Sequence, residues 1–150
     1  ERTFQQDTID TTFLRNVLTG MTEKLGYKLR SSDKLTACVT VKIRYSNFET
    51  VSKQMRIPYT SADHILLPKV MELFNKLYDR RLLIRLVGVR LSALVPGNYQ
   101  ISLFDDSEER ISLYNAMDKI RDKHGAFLVS SARAQGMTSK RRDVNSFSKE

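Results

Sequence analysis

The run Thr36-Ala37-Cys38-Val39-Thr40-Val41-Lys42-Ile43-Arg44-Tyr45 decides the architecture. Successive side chains of a strand point to opposite faces, so Ala37, Val39, Val41, Ile43 and Tyr45 share one side. Thr36, Cys38, Thr40, Lys42 and Arg44 share the other. Ser46-Asn47 turns the chain and a second alternating run follows, with Val51, Lys53, Met55 and Ile57 against Ser52, Gln54 and Arg56. Two such runs joined by a short polar turn predict a hairpin. One of its faces is apolar and must be covered; the other is basic and rich in hydroxyls.

Upstream, Phe13, Leu14, Val17, Leu18, Met21, Leu25 and Leu29 recur at the spacing of one helix face and predict a helix over 10–30. Asp10 suits its N-cap, and Ser31-Ser32-Asp33 ends it. Glu1-Arg2-Thr3-Phe4-Gln5 opens the chain as a short strand. Downstream, Pro58 and Ser61-Ala62-Asp63 open a second helix with Leu66, Val70, Leu73, Phe74 and Leu77 inward. Proline is costly beyond a first turn, so Pro68 predicts that the regular part of this helix begins near Leu67. Leu82–Leu94 then reads as a long strand.

The order is strand, helix, strand, strand, helix, strand. The fold class is therefore α+β, a βαββαβ split-βαβ (ferredoxin-like) arrangement: a four-stranded sheet with two helices on one face, plus a C-terminal helical appendage. Pro96-Gly97-Asn98 marks a boundary. Asp106 with Glu109 forms a capping box for a third helix over 107–124, with Tyr114, Met117 and Ile120 as its stripe and Gly125 as its stop. Ala126–Val129 adds a short further strand. From Thr138 the sequence is polar and basic, a composition that favours disorder. The expected division is 1–95, 96–137 and 138–150.

The net charge of the chain is +8, which points to polyanions, nucleic acid ahead of an acidic membrane. The excess is uneven. Residues 1–104 hold 16 Lys and Arg against 9 Asp and Glu, whereas residues 105–124 hold 4 against 6. The basic character thus belongs to the sheet-forming part and the tail. A single cysteine, Cys38, allows no internal disulfide and suits a reducing, cytoplasmic setting. No apolar stretch approaches membrane-spanning length, no signal peptide pattern is present, and no helix combines a basic face with a bulky aromatic one, so no membrane partner is expected. Beginning at Glu1 without an initiator Met, the chain reads as a portion of something longer.

The uncovered sheet face collects the chemistry. Thr40, Lys42 and Arg44 point outward together, as do Ser52, Gln54 and Arg56 on the partner strand. Arg85 and Arg90 are five apart, which strict alternation sends to opposite faces. Gly88 lies between them, and a bulge at that glycine would restore the phase and put both arginines on the open face. A face of cations and hydroxyls with few aromatics can grip phosphates while carrying little base readout; a solvated face whose Lys and Arg keep the protein soluble is the alternative. It does not suit single-strand stacking.

Nothing here reads as catalytic machinery or as a metal site. The sequence has no Gly-rich phosphate loop, no paired Cys ligands and no nucleophile elbow. His64 and His124 are far apart and suit helix ends. Asp105, Asp106, Glu108 and Glu109 sit where carboxylates favour a helix N-terminus.

Three segments together carry a family resemblance: Glu1-Arg2-Thr3-Phe4, then Tyr45-Ser46-Asn47-Phe48-Glu49-Thr50, then Ile84-Arg85-Leu86-Val87-Gly88-Val89-Arg90-Leu91. In this order, over about 1–95, they resemble the little finger domain of bacterial Y-family DNA polymerases of the DNA polymerase IV type. The resemblance implies a βαββαβ domain that lays its sheet along the major groove and holds primer–template duplex DNA by its backbone. It implies that Arg85 and Arg90 contact phosphates. Leu86 departs from relatives with a further basic residue there. Gln100-Ile101-Ser102-Leu103-Phe104 resembles the bacterial sliding-clamp binding pentapeptide, in which a Gln amide and two apolar side chains anchor in a pocket. Ile101 stands where Leu is commoner, and some 46 residues follow the motif. Packing of Ile101, Leu103 and Phe104 on the third helix is the competing expectation.

The function implied is that of a translesion DNA polymerase's DNA-binding and clamp-docking part. The partners implied are primer–template DNA, the sliding clamp and the polymerase's own catalytic core. Two Mg²⁺ ions would be held by carboxylates of that core, with no cofactor in this portion. A non-catalytic adaptor of the same family and a ferredoxin-like RNA-binding module are the alternatives.

Overall fold

The computed structural model describes residues 1–78, 81–97, 108–126 and 128–137. Its elements are β1 (Arg2–Thr8), α1 (Thr11–Ser31), β2 (Lys34–Tyr45), β3 (Thr50–Thr60), α2 (Asp63–Leu77), β4 (Ile84–Pro96) and α3 (Glu108–His124), followed by a 3-10 segment over Ala132–Met137. The strands form one sheet in the order β1-β4-β2-β3, and every neighbouring pair is antiparallel. Each βαβ unit is split by a strand of the other, as the expected fold class requires. The long strands β2 and β4 take the centre.

The alternation in β2 positions both helices. Val39, Val41, Ile43 and Tyr45 are buried with Val87 and Ile84 of β4, under Leu14, Val17 and Leu18 of α1 and Leu66, Val70, Leu73 and Phe74 of α2. Removing these aliphatic and aromatic surfaces from water is the main force that closes the domain. Helix α1 starts as its sequence predicts: the Asp10 side chain accepts a hydrogen bond from the Phe13 N–H at 3.0 Å.

Near residue 37 the alternation fails. Leu35, Thr36 and Cys38 are all buried while Ala37 is half-buried. The β2–β3 register slips between Thr36 and Cys38, where β3 carries extra residues around Pro58. That proline lies inside the strand rather than opening α2. An edge strand with an irregular register is the place in a sheet where a missing N–H is tolerated. Across the sheet, Ala93 of β4 adopts φ +52°. A left-handed alanine costs about 1–2 kcal/mol, part of which a glycine would forfeit through its freer unfolded chain. Ala93→Gly is therefore expected to raise stability by roughly 0.5 kcal/mol, measured by urea unfolding; a loss of 1 kcal/mol or more would contradict it.

Helix α2 begins at Asp63, with Pro68 inside it, and not near Leu67. Tertiary bonds hold the turn upstream of the proline. The His64 N–H, one of the donors a helix start leaves unpaired, reaches the Tyr114 hydroxyl at 3.0 Å, and Arg30 donates to the Ser61 carbonyl at 2.7 Å and the Asp63 carboxylate at 3.0 Å.

The appendage lies over the outer side of the helices and is held by polar groups rather than by the predicted apolar stripe. Tyr114 and Met117 are half-buried, but Ile120 is exposed, and the one buried residue of α3 is Arg121. Arg30 of α1 sits between Asp63 and Asp118, at 2.6 Å from the latter, with its guanidinium over the Tyr114 ring. Arg121 bonds Asp118 at 3.1 Å and gives two hydrogen bonds to the Val129 carbonyl. That carbonyl is thus taken up by a side chain. The described residues of 126–129 form no strand. Gly26 admits this cluster: a Cβ there would stand 2.0 Å from the Asp63 carboxylate. Helix α3 stops as expected at Gly125, with φ +104°. Asp106 of the expected capping box and the tail 138–150 lie outside the described residues.

Candidate nucleic-acid interface

The register of the sheet arranges the basic face in four rows. Directly opposed residues share a face, so each outward residue of β2 is flanked by one from β3 and one from β4. Cys38 lies between Arg56 and Ser92, Thr40 between Gln54 and Arg90, Lys42 between Ser52 and Gly88, and Arg44 between Thr50 and Leu86. Thr40, Lys42, Arg44, Ser52, Gln54, Arg56 and Arg90 therefore share one face, opposite the helices. Each row holds one cation, and rows repeat about every 6.8 Å along the strands. Leu86 is buried, as is Cys38, so the ends of this face are less open than its centre.

Arg85 is a separate case. The ladder runs regularly through Gly88, and the shift falls between Arg44 and Tyr45, which pair with Leu86 and Ile84. The extra residue is Arg85 itself, not the glycine. Leu86 lies on the sheet face of Arg44, its partner, and Ile84 is in the core, so the change of phase is spent at this arginine. Its Nε and Nη2 both donate to the Asp7 carboxylate of β1 at 3.1 Å, and its guanidinium lies over the Phe48 ring, 4.4 Å from the centroid. Gly88 has a different use: the Glu1 backbone and side chain cross directly over it, and a Cβ there would meet the Glu1 Cβ at 3.0 Å.

Glu1 reaches across that gap to form an ion pair with Lys42. The hydrogen bond and charge of Lys42 hold the Glu1 carboxyl below its usual pKa. Arg44 donates to the Thr50 hydroxyl at 2.9 Å. Arg56 and Arg90 are exposed and form no ion pair among the described residues. Among the described residues, three of the four cations thus have no carboxylate partner, Arg44 of these being hydrogen-bonded to a neighbour, and the fourth, Lys42, is paired with Glu1. Sequence reasoning missed Glu1, Asp7 and Phe48 as parts of this surface. The signal for Phe48 was there, a lone aromatic in a turn of otherwise polar residues.

Gln100, Ile101, Ser102, Leu103 and Phe104 lie outside the described residues. Before and after them in sequence, the Gly97 N–H donates to the Asp33 carbonyl at 2.8 Å, and α3 begins at Glu108.

With one face under helices and the other lined by cations, the chain is a split-βαβ domain of the α+β class. Residues 1–103 match the family described as the impB/mucB/samB family C-terminal domain, and the chain belongs to that family. It is similar to the DNA polymerase IV of Clostridium acetobutylicum, 33% identical over 129 residues that cover 83% of this chain and 32% of that protein. It is also similar to the DNA polymerase IV of Dehalococcoides mccartyi strain BAV1, 32% identical over 136 residues, 89% of this chain and 35% of that protein. The chain spans about a third of the length of these relatives. The resemblance read from the three segments is borne out. No helix among the described residues is long and apolar enough to cross a membrane.

Proposed function

We propose that this chain is the primer–template gripping domain of a translesion DNA polymerase, and that residues 100–104 dock it on the sliding clamp. The observation that carries the first part is the ladder of four rows with one cation each. Such a face holds a phosphate backbone whatever the base sequence. The polymerase's own catalytic core is the third partner, and the two Mg²⁺ ions of the reaction are assigned to carboxylates of that core, in the cytoplasm.

Affinity for duplex DNA should fall with salt at a log–log slope of roughly −3, since Lys42 is already paired with Glu1 and Arg85 with Asp7. Arg56→Ala with Arg90→Ala should flatten that slope by about 2, on unrelated duplex sequences alike. The measurement is fluorescence anisotropy across a salt series. A variant whose slope matches the parent's shows that the face is wrongly assigned.

A further inference from the structure

The turn between β2 and β3 carries a ring that backbone gripping leaves unused. Phe48 is 66% exposed and adopts φ +67°. Both features work against folding: the ring forgoes burial, and a bulky residue in the left-handed region is strained. Yet the turn is firmly built. The Phe48 N–H donates to the Tyr45 carbonyl at 3.0 Å, the Tyr45 N–H to the Glu49 carbonyl at 2.9 Å, and the Glu49 N–H to the Asn47 side chain at 3.0 Å. The Ser46 N–H is tied to the Leu83 carbonyl at 2.8 Å, and the buried Tyr45 hydroxyl to the Leu77 carbonyl at 2.8 Å. The Arg85 guanidinium covers the ring from β4, itself clamped by Asp7.

We infer that Phe48 is a stacking contact for an unpaired nucleobase of a single-stranded overhang, with Arg85 as the residue that positions the ring. The ring stands at the end of the basic face, past Arg44, the last row before the turn. A strand held along those rows would pass it. Bases inside a duplex are covered by their neighbours, whereas an unpaired base offers a π-face that an aromatic side chain takes regardless of sequence. A rigid ring already covered by a guanidinium loses little freedom on accepting a base. The inference rests on the DNA-binding reading and adds to it a preference for duplex ends that carry an overhang.

The test compares the 150-residue chain with Phe48→Leu and Phe48→Tyr on a blunt duplex and on the same duplex with a short overhang. The parent should bind the overhang substrate more tightly. Phe48→Leu should lose about tenfold on that substrate alone, and Phe48→Tyr, which keeps the ring, should lose little. Equal loss on both substrates, or no loss on either, overturns the inference while leaving the DNA-binding reading in place. A parent that binds neither substrate sinks both.

Discussion

Arg30→Met should lower the stability of the chain by about 3 kcal/mol, roughly 6–12 °C in melting temperature. The arginine is shared by Asp63 and Asp118, and all three side chains are at most 15% exposed. Removing it strands two carboxylates away from water, which costs more than the ion pair contributes when whole. Burial raises the Asp63 carboxyl above its ordinary pKa, Arg30 pulls it back only in part, and Glu23 adds to the rise. A folded-state pKa that is raised gives stability below the ordinary carboxylate value and loses it as pH climbs through the raised one. Without Arg30 that pKa moves further up, so the deficit of the variant should be small in acid and full at neutral pH. Urea unfolding at several pH values reads both. Adding Asp63→Asn should recover part of the loss at neutral pH. A variant within 1 kcal/mol of the parent at neutral pH would mean that the cluster is solvated and that α3 is held by something else.

The second large effect concerns the segment after Gly97. Leu103→Ala with Phe104→Ala should weaken binding to the sliding clamp at least ~30-fold, because a pocket-filling anchor typically carries ~2 kcal/mol or more. Binding to DNA without the clamp should be nearly unchanged, as the basic rows lie on the sheet. If these side chains instead pack on α3, where Ile111, Leu113 and Ile120 remain exposed, the variant would melt lower and still bind the clamp. Clamp affinity and melting temperature measured on the same protein separate the two. A lower melting point with parental clamp affinity would reverse the assignment.

The fold was legible where one period ran undisturbed. The alternation from Val39 to Tyr45 named the core side of β2, and Asp10 with the apolar spacing after it named α1 and its start. Irregular positions were not legible, for a definite reason. A spacing of five from Arg85 to Arg90 needs an extra residue if both are to share a face, but a count of phase does not say where. Gly88 drew the bulge by its type, whereas the ladder places it at Arg85. Pro68 and Pro58 were each read by local preference and overruled by contacts from distant segments, Tyr114 and Arg30 on one and the edge position of β3 on the other. The attachment of α3 was misread because periodicity detects apolar stripes, and this helix is held by Tyr114 and Asp118 meeting groups of α2 and α1 far away in sequence. Of the eight residues of β2, β3 and β4 expected on the open face, the ladder places seven there, since strand phase and register follow from pattern, and sets Arg85 apart at the shift. What each cation is paired with does not.

Edge strand β3 has a consequence of another kind. A sheet that ends in an unpaired strand offers its free N–H and C=O groups to any other strand, and chains of the same sequence are the nearest donors. Here that edge is interrupted by Pro58, which has no N–H to offer, and is flanked by exposed Lys53 and Arg56. Two such edges brought together would face charge against charge beside a gap in their hydrogen bonding. The arginine assigned to grip a phosphate therefore has a second duty, keeping copies of the domain from joining sheet to sheet. A loss of colloidal stability is the side effect to expect whenever the basic residues of β3 are neutralised.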